Sequence, residues 1–287
     1  MIEAGLIYPM KVNRKIDTGY VLEKDSQEVL LHHNEVTVEL NVDEEVTVFV
    51  YQDKKGNLCG TTVLPKATKN TYGWATVQKV IPNLGVFVSF ETTTEVLVSK
   101  DTLPLYEHVW PQEEDHLYIT LTTDKRNRLL GVPATEGVIE QIREWAPNDY
   151  LNQHVKGWVY HTSREGSAII TDEDYRGFVH HTERKDEPRL GEQIDGRVID
   201  VKEDGTINIS LRPLKQHSML EDADIILEHL QNHGGKIPFT DRSDPEEIRA
   251  TFQISKSAFK RALGKLMKEG KVKQQDGMTH LVLKDME

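Results

Sequence analysis

One pattern constrains this chain more than any other, because it occurs three times in order. Alternating strands are followed by a polar turn, a returning strand and a proline, and Pro65, Pro133 and Pro213 close the three units. The clearest copy runs from Gly157 to Leu211. It opens with Gly157-Trp158-Val159-Tyr160, continues through Gly177-Phe178-Val179-His180-His181-Thr182-Glu183, and closes with Val198-Ile199-Asp200-Val201 and Ile207-Asn208-Ile209-Ser210-Leu211. Apolar and polar residues alternate in each piece, which predicts short strands with one buried face. Asp204-Gly205 predicts a tight hairpin in which both central residues take positive φ. Several short strands in so compact a unit are best accommodated by a small closed barrel, which leaves no open edge.

The other copies follow the same plan. Residues 1–66 carry Met10-Lys11-Val12, Gly19-Tyr20-Val21-Leu22, Val29-Leu30-Leu31-His32-His33-Asn34-Glu35, a strictly alternating Val46 to Val50, the turn Asp53-Lys54-Lys55-Gly56-Asn57 and a return over Leu58 to Val63. Residues 67–134 carry Tyr72-Gly73-Trp74-Ala75-Thr76-Val77, which parallels Lys156-Gly157-Trp158-Val159-Tyr160-His161. Leu84 to Val88, Glu95 to Val98, Leu117 to Leu121, the turn Asp124 to Asn127 and Arg128 to Gly131 complete it. Between the second and third units, residues 135–149 place Ile139, Ile142 and Trp145 at helical spacing. They predict a short amphipathic helix over 138–146, capped by Thr135 and packed at a domain junction.

The third unit ends at 214, and over 215–287 the period changes. Ala223, Ile226, Leu227 and Leu230 form one helical face ahead of Gly234-Gly235. Ser243-Asp244-Pro245 starts a second helix through Phe252, and a third carries Phe259, Leu263, Leu266 and Met267 up to Gly270. Val272 to Gln274, Asp276-Gly277 and His280 to Leu283 predict a hairpin. Three helices and a hairpin predict a winged helix-turn-helix, with Ile254 to Leu263 as its turn and recognition helix. The fold class expected is therefore mainly β with a small α/β C-terminal domain.

The barrel units resemble the S1 domain, an RNA-binding barrel of the oligonucleotide-binding class, most closely over Gly177 to Glu183 and in Leu84-Gly85-Val86-Phe87-Val88. The ordered set of three such barrels and a winged helix resembles the conserved virulence factor B family over essentially the whole chain. That resemblance implies an RNA-binding protein that influences virulence gene expression. Carried over residue by residue, the S1 pattern is kept in part. The second strand-two aromatic falls on Phe87, but the first falls on Leu84, and the third unit has Glu165 and Ala168 there. The mid-domain His falls on His180 and His32, with Val98 in the second unit, while the Asp and Arg before the last strand fall on Lys202 and Thr206.

Barrels of this class bind single strands by stacking bases on rings and tracking phosphates with cations. Trp158 and Tyr160, and likewise Phe178 and His180, lie two apart, which on a strand puts each pair on one face opposite Val159 and Val179. These four, with Phe87, Trp74 and His32, are the candidate RNA contacts on the barrels. The alternative is that the rings seal a neighbouring domain. Toward the C-terminus Lys256, Lys260, Arg261, Lys265, Lys268, Lys271 and Lys273 are opposed only by Glu269 between 251 and 273. In a chain of net charge −12 this is a local footprint for phosphate. Lys256, Lys260, Arg261, Lys265 and Lys271 are the candidate contacts, a solvated or protein-docking face being the alternative.

The remaining chemistry is excluded by pattern. His32-His33 and His180-His181 are strand neighbours that point to opposite faces, so neither pair predicts a metal site. No phosphate-binding loop, serine-hydrolase elbow or dinucleotide fingerprint occurs, and no catalytic residue or cofactor is expected. A single Cys59 rules out a disulfide framework and, with no signal-peptide or membrane-span pattern, predicts the cytoplasm. The expected partner is single-stranded RNA, with duplex DNA through the winged helix, or a ribosome- or polymerase-bound scaffold, as rival readings. The oligomeric state stays open, with a monomer favoured.

Overall fold

The computed structural model describes residues 1–53, 55–90, 94–213 and 215–282, and side chains over that span except 215–221. Two compact units divide it, Met1–Arg212 and Pro213–Glu287. The first contains three closed five-stranded barrels. Barrel 1 is β1 (Ile7–Ile16), β2 (Gly19–Lys24), β3 (Gln27–His32), β4 (Glu45–Gln52) and β5 (Leu58–Thr61). Barrel 2 is β6 (Gly73–Ile81), β7 (Gly85–Ser89), β8 (Val96–Ser99), β9 (His116–Thr123) and β10 (Leu129–Pro133). Barrel 3 is β11 (His154–Thr162), β12 (Gly166–Thr171), β13 (Arg176–His180), β14 (Gln193–Val201) and β15 (Ile207–Ser210).

Strand order is the same in all three, and the fifth strand of each closes the barrel by pairing parallel to the third. Val12, Val77 and Val159, all fully buried, occupy equivalent inward positions, and each is followed by a bulge in the first strand. A bulge sharpens the twist, which lets so short a strand wrap around a small barrel. The fourth and fifth strands are joined by one turn used three times. Asp53, Asp124 and Lys202 donate their N–H groups to Asn57, Arg128 and Thr206, and Gly56, Asn127 and Gly205 sit in the left-handed region. At Asp204-Gly205 only Gly205 has positive φ, at 74°. The turn is thus a longer loop closed by a left-handed residue, not the two-residue hairpin expected.

The barrels pack in series. Phe49, Tyr51 and Cys59 on the outside of barrel 1 belong to the apolar cluster that fills barrel 2, and Phe49 meets Phe90 edge-on at 6.1 Å. Burial pushes the Cys59 thiol up to about 11, so it remains a protonated seam residue. Barrels 2 and 3 are tied by Arg189, which donates to Asp115 at 3.1 and 3.2 Å, and by Leu190, which joins the barrel 2 cluster. The linker helix α1 spans Glu136–Ile142, shorter than the expected 138–146, because the chain turns extended at Arg143 to pair Glu144 with Tyr175. Thr135 stands at its N-cap but makes no side-chain cap bond. Trp145 falls outside the helix and is 65% exposed, which corrects the expectation that it packs at a junction.

In the second unit α2 (Lys215–Asn232), α3 (Pro245–Phe252) and α4 (Lys256–Lys268) surround a core of Ile226, Leu230, Ile248, Phe252, Phe259, Leu263 and Leu266. Asp244 caps α3 and Ser255 caps α4 by accepting backbone N–H groups. A short β16 (Lys236–Ile237), which the sequence pattern did not single out, pairs with β18 (Met278–Leu281), and β18 pairs with β17 (Val272–Gln275). This is the wing of a winged helix. Lys54 of the first barrel's turn and Leu283 of the expected hairpin lie outside the described residues.

Candidate nucleic-acid interface

The face that receives oligonucleotides in this barrel class lies on strands two and three. Strand register identifies the same outward row in each barrel, running across four strands. It reads Arg14, Val21, Leu30, Cys59 in barrel 1. It reads Lys79, Phe87, Leu97, Leu130 in barrel 2. It reads His161, Ala168, Phe178, Asn208 in barrel 3.

The three rows meet different surroundings. In barrel 1, Cys59 and Leu30 are packed into the barrel 2 cluster, so that end of the row is closed. In barrel 3, Ala168 and the half-buried Phe178 join Ile170, Tyr160, Ala134 and the fully buried Ile139 of α1. Glu136 locks that cover in place by accepting from the Tyr160 hydroxyl at 2.6 Å and from Arg176 Nε. Burial works against the Glu136 charge, but these two bonds hold its carboxyl below the usual range, while burial and Glu136 push the Tyr160 hydroxyl upward. In barrel 2, Lys79 is exposed and Phe87, Leu97 and Leu130 are half-buried as Phe178 is, but among the described residues none of the three joins an apolar cluster.

Leu84, where the first strand-two aromatic was expected, and two rings the sequence pattern did not single out, Tyr106 and His108, lie near the β6–β7 turn of barrel 2. Leu84 is 42% exposed before β7, and Tyr106 is 65% exposed in the long connection between β8 and β9. Glu107 accepts the Asn83 N–H at 3.2 Å, which places that connection beside the β6–β7 turn. Tyr106 and His108 stand with ring centroids 5.8 Å apart. Two rings two apart in a long barrel loop were the signal available for them.

The four rings expected on one outward face of barrel 3 do not share it. The bulge between Val159 and His161 breaks the alternation at Tyr160, which is buried under α1. Trp158 turns to barrel 2, with its ring 4.3 Å from His116 and 6.1 Å from Trp74. Trp74 also lies 5.1 Å from Tyr118 and stays 39% exposed. His180 is exposed and bonds Thr182. His32 is half-buried ahead of the turn 33–35. Two alignments also change. Val77, not Ala75, is the equivalent of Val159, so the Gly-Trp pairs of units two and three are two residues out of register. Opposite Gly19, Gly85 and Gly166 stand His32, Ser99 and His180, so the second unit has Ser99 at the histidine position rather than Val98.

His180 and His181 do not point apart, since His181 starts a 3-10 turn and the rings lie 4.2 Å from each other. Among the described residues no group of three His, Cys, Asp or Glu side chains is arranged to hold a metal. In the second unit Lys260, Arg261 and Lys268 are exposed along α4, and among the described residues they make no ion pair. Lys265 and Lys271 converge on Glu269 at 3.7 and 2.9 Å, so those two cations are partly neutralised. Lys256 is half-buried.

Family models agree with this architecture. The general S1 domain matches residues 4–63, the first S1-like domain of CvfB matches 72–132, the second domain of virulence regulatory factor CvfB matches 139–213, and the CvfB-like winged helix domain matches 224–281. Conserved virulence factor B of Staphylococcus epidermidis is 35% identical over 92% of this chain and 90% of its own. The chain belongs to the conserved virulence factor B family. Protein YitL of Bacillus subtilis is 42% identical over 94% of this chain and 91% of its own length. A crystal structure of a multidomain protein with nucleic acid binding domains from Streptococcus pneumoniae aligns with TM-score 0.68 and 37% identity, covering 97% of this chain and 98% of that one. The family's S1-like barrels and winged helix are nucleic-acid-binding folds, and none of the matched models is an enzyme family. No helix of the described residues is long and apolar enough to cross a membrane.

Proposed function

We propose that this virulence factor B homologue is a non-enzymatic cytoplasmic regulator of gene expression that binds single-stranded RNA. Bases stack on barrel 2, at Phe87 with Lys79 beside it, and phosphates are held by Lys260, Arg261 and Lys268 of α4. The observation that carries this reading is the row on barrel 2, where a half-buried ring outside the apolar clusters of the described residues and an exposed lysine occupy the face this barrel class uses. Trp158, Tyr160 and Phe178 are assigned to the seams they occupy. His180, His32 and Trp74 remain secondary contacts, and Lys256, Lys265 and Lys271 contribute to the field around α4.

Fluorescence anisotropy with labelled single-stranded RNA, competed by duplex DNA, tests it on the full chain. Phe87→Ala should cost about 1–3 kcal/mol of RNA affinity with the salt slope nearly unchanged. Reversing Lys260, Arg261 and Lys268 to Glu should lower the log–log salt slope by about 0.7 for each phosphate that is no longer neutralised. Duplex DNA displacing RNA at equal or lower concentration would favour the transcription-factor reading, and no affinity for either at low salt would favour the scaffold.

A further inference from the structure

The end of barrel 3 formed by the β12–β13 and β14–β15 turns carries a surface of another character. We propose that Trp145, with Ile142, anchors a docking site for a cationic protein segment on the first unit. Trp145 is 65% and Ile142 39% exposed, yet the segment is firmly seated. Glu144 donates its N–H to the Asp174 carbonyl at 2.8 Å, and Ala146 donates to the Gly205 carbonyl at 3.2 Å. Gly205, at positive φ, lies so close beneath Trp145 that a Cβ there would come within 2.8 Å of the Trp145 Cα and Cβ. Arg143 stands 5.7 Å from the ring centroid and is itself held by Glu140 and the Asp204 carbonyl. A large ring fixed this way has little left to lose on binding, and Trp beside Arg is the composition that dominates interface energetics.

Charge decides what it binds. The two turns that seat Trp145 bring Asp172, Glu173 and Asp174 from one side and Glu203 and Asp204 from the other, with Glu144 between, so that six carboxylates outnumber the two cations beside Asp204, Lys202 and Arg143. Burial and the neighbouring Glu144 charge both raise the Asp174 carboxyl above its ordinary value, as expected where like charges face one another. Among the described residues, Glu144, Asp172, Glu173, Asp174 and Glu203 form no ion pair, while Arg143 is already shared with Glu140. A phosphate backbone would be repelled here, whereas Lys and Arg side chains flanking an apolar group would be drawn in. None of these residues belongs to the barrel 2 row of Lys79, Phe87, Leu97 and Leu130.

The test uses the full chain and a labelled short peptide of Lys, Arg and Leu, with a Lys-Ser peptide, a Glu-Leu peptide and oligouridylate as comparison probes. The Lys-Arg-Leu peptide should bind, and Trp145→Ala should weaken it about tenfold or more while thermal melting and oligouridylate affinity stay unchanged. Paired Glu144→Lys and Asp174→Lys changes should weaken it several-fold, most at low salt. No binding of that peptide, affinity unaffected by Trp145→Ala, or loss of oligouridylate affinity in its place would overturn the proposal, the last by making Trp145 a base-stacking residue.

Discussion

Barrels 2 and 3 share strand order, the first-strand bulge after a buried valine, and the left-handed turn before the last strand. At the centre of the equivalent outward row each carries a phenylalanine, Phe87 on the second strand of one and Phe178 on the third strand of the other. In barrel 2 that ring faces outward beside an exposed Lys79. In barrel 3 it lies beside Ala168 under α1, and His161 takes the lysine's place. The difference comes from what precedes each barrel. The linker into barrel 3 contains an amphipathic helix whose Ile139 fills the row, and a small Ala168 makes room for it. A fold thus supplies the same face repeatedly, and neighbouring segments decide which copies stay open.

The largest effect should come from removing the cover. Ile139 is fully buried, so Ile139→Ala is expected to cost about 2–5 kcal/mol of stability, the range for a buried aliphatic truncated to Ala. All four tryptophans, Trp74, Trp110, Trp145 and Trp158, lie in the first unit, so intrinsic fluorescence during urea unfolding reports that unit alone. RNA affinity should be unchanged at temperatures where the variant is folded. A stable variant would mean that α1 is not a structural cover, and the contrast between the barrels would fail.

The phenylalanines give a sharper comparison at intermediate size. Phe178→Ala should destabilise by about 1–3 kcal/mol, less than the 3–5 of a fully buried ring, and leave RNA affinity alone. Phe87→Ala should do the reverse, with affinity reduced and the unfolding midpoint nearly kept. Measuring both quantities on both variants decides the matter. If Phe178→Ala instead lowers affinity without touching stability, barrel 3 reads RNA and α1 must move aside.

How much of this contrast the sequence held can be traced residue by residue. Most strands, the positions of the three turns and the winged helix followed from periodicity and turn residues, because those depend on local geometry, whereas β12, β16 and the form of the Asp204-Gly205 turn did not. The identity of the open face did not. Tyr160 and Phe178 looked like outward rings by period-two counting, but a bulge interrupts the count at Tyr160, and no local pattern shows that Ile139 will lie over Ala168. Trp145 failed in the opposite sense. Helical spacing aligned it with Ile139 and Ile142, whereas pairing of Glu144 with Tyr175 ends the helix and leaves the ring in solvent. Burial between segments is a tertiary property, and here it overrode the local signal.

The smallest expected effect concerns the polar clasp on that cover. Glu136 is about half exposed and Arg176 about one-fifth, so solvent screens the pair, and Glu136→Gln should cost only about 1 kcal/mol. Its pH dependence has a definite sign. Burial opposes the charged carboxylate, but the bonds from Tyr160 and Arg176 outweigh it and leave the folded-state pKa below that of the unfolded chain. The unfolded state therefore binds the proton more readily, so the contribution is present above the ordinary Glu pKa and fades as pH falls through the lower, folded value. Unfolding midpoints of the first unit, followed by tryptophan fluorescence, should converge for the native chain and Glu136→Gln as pH is lowered below about 4, near the free Glu value. Curves that stay parallel throughout would show that the carboxylate does not hold α1 over barrel 3, leaving Ile139 packing as the whole of the cover.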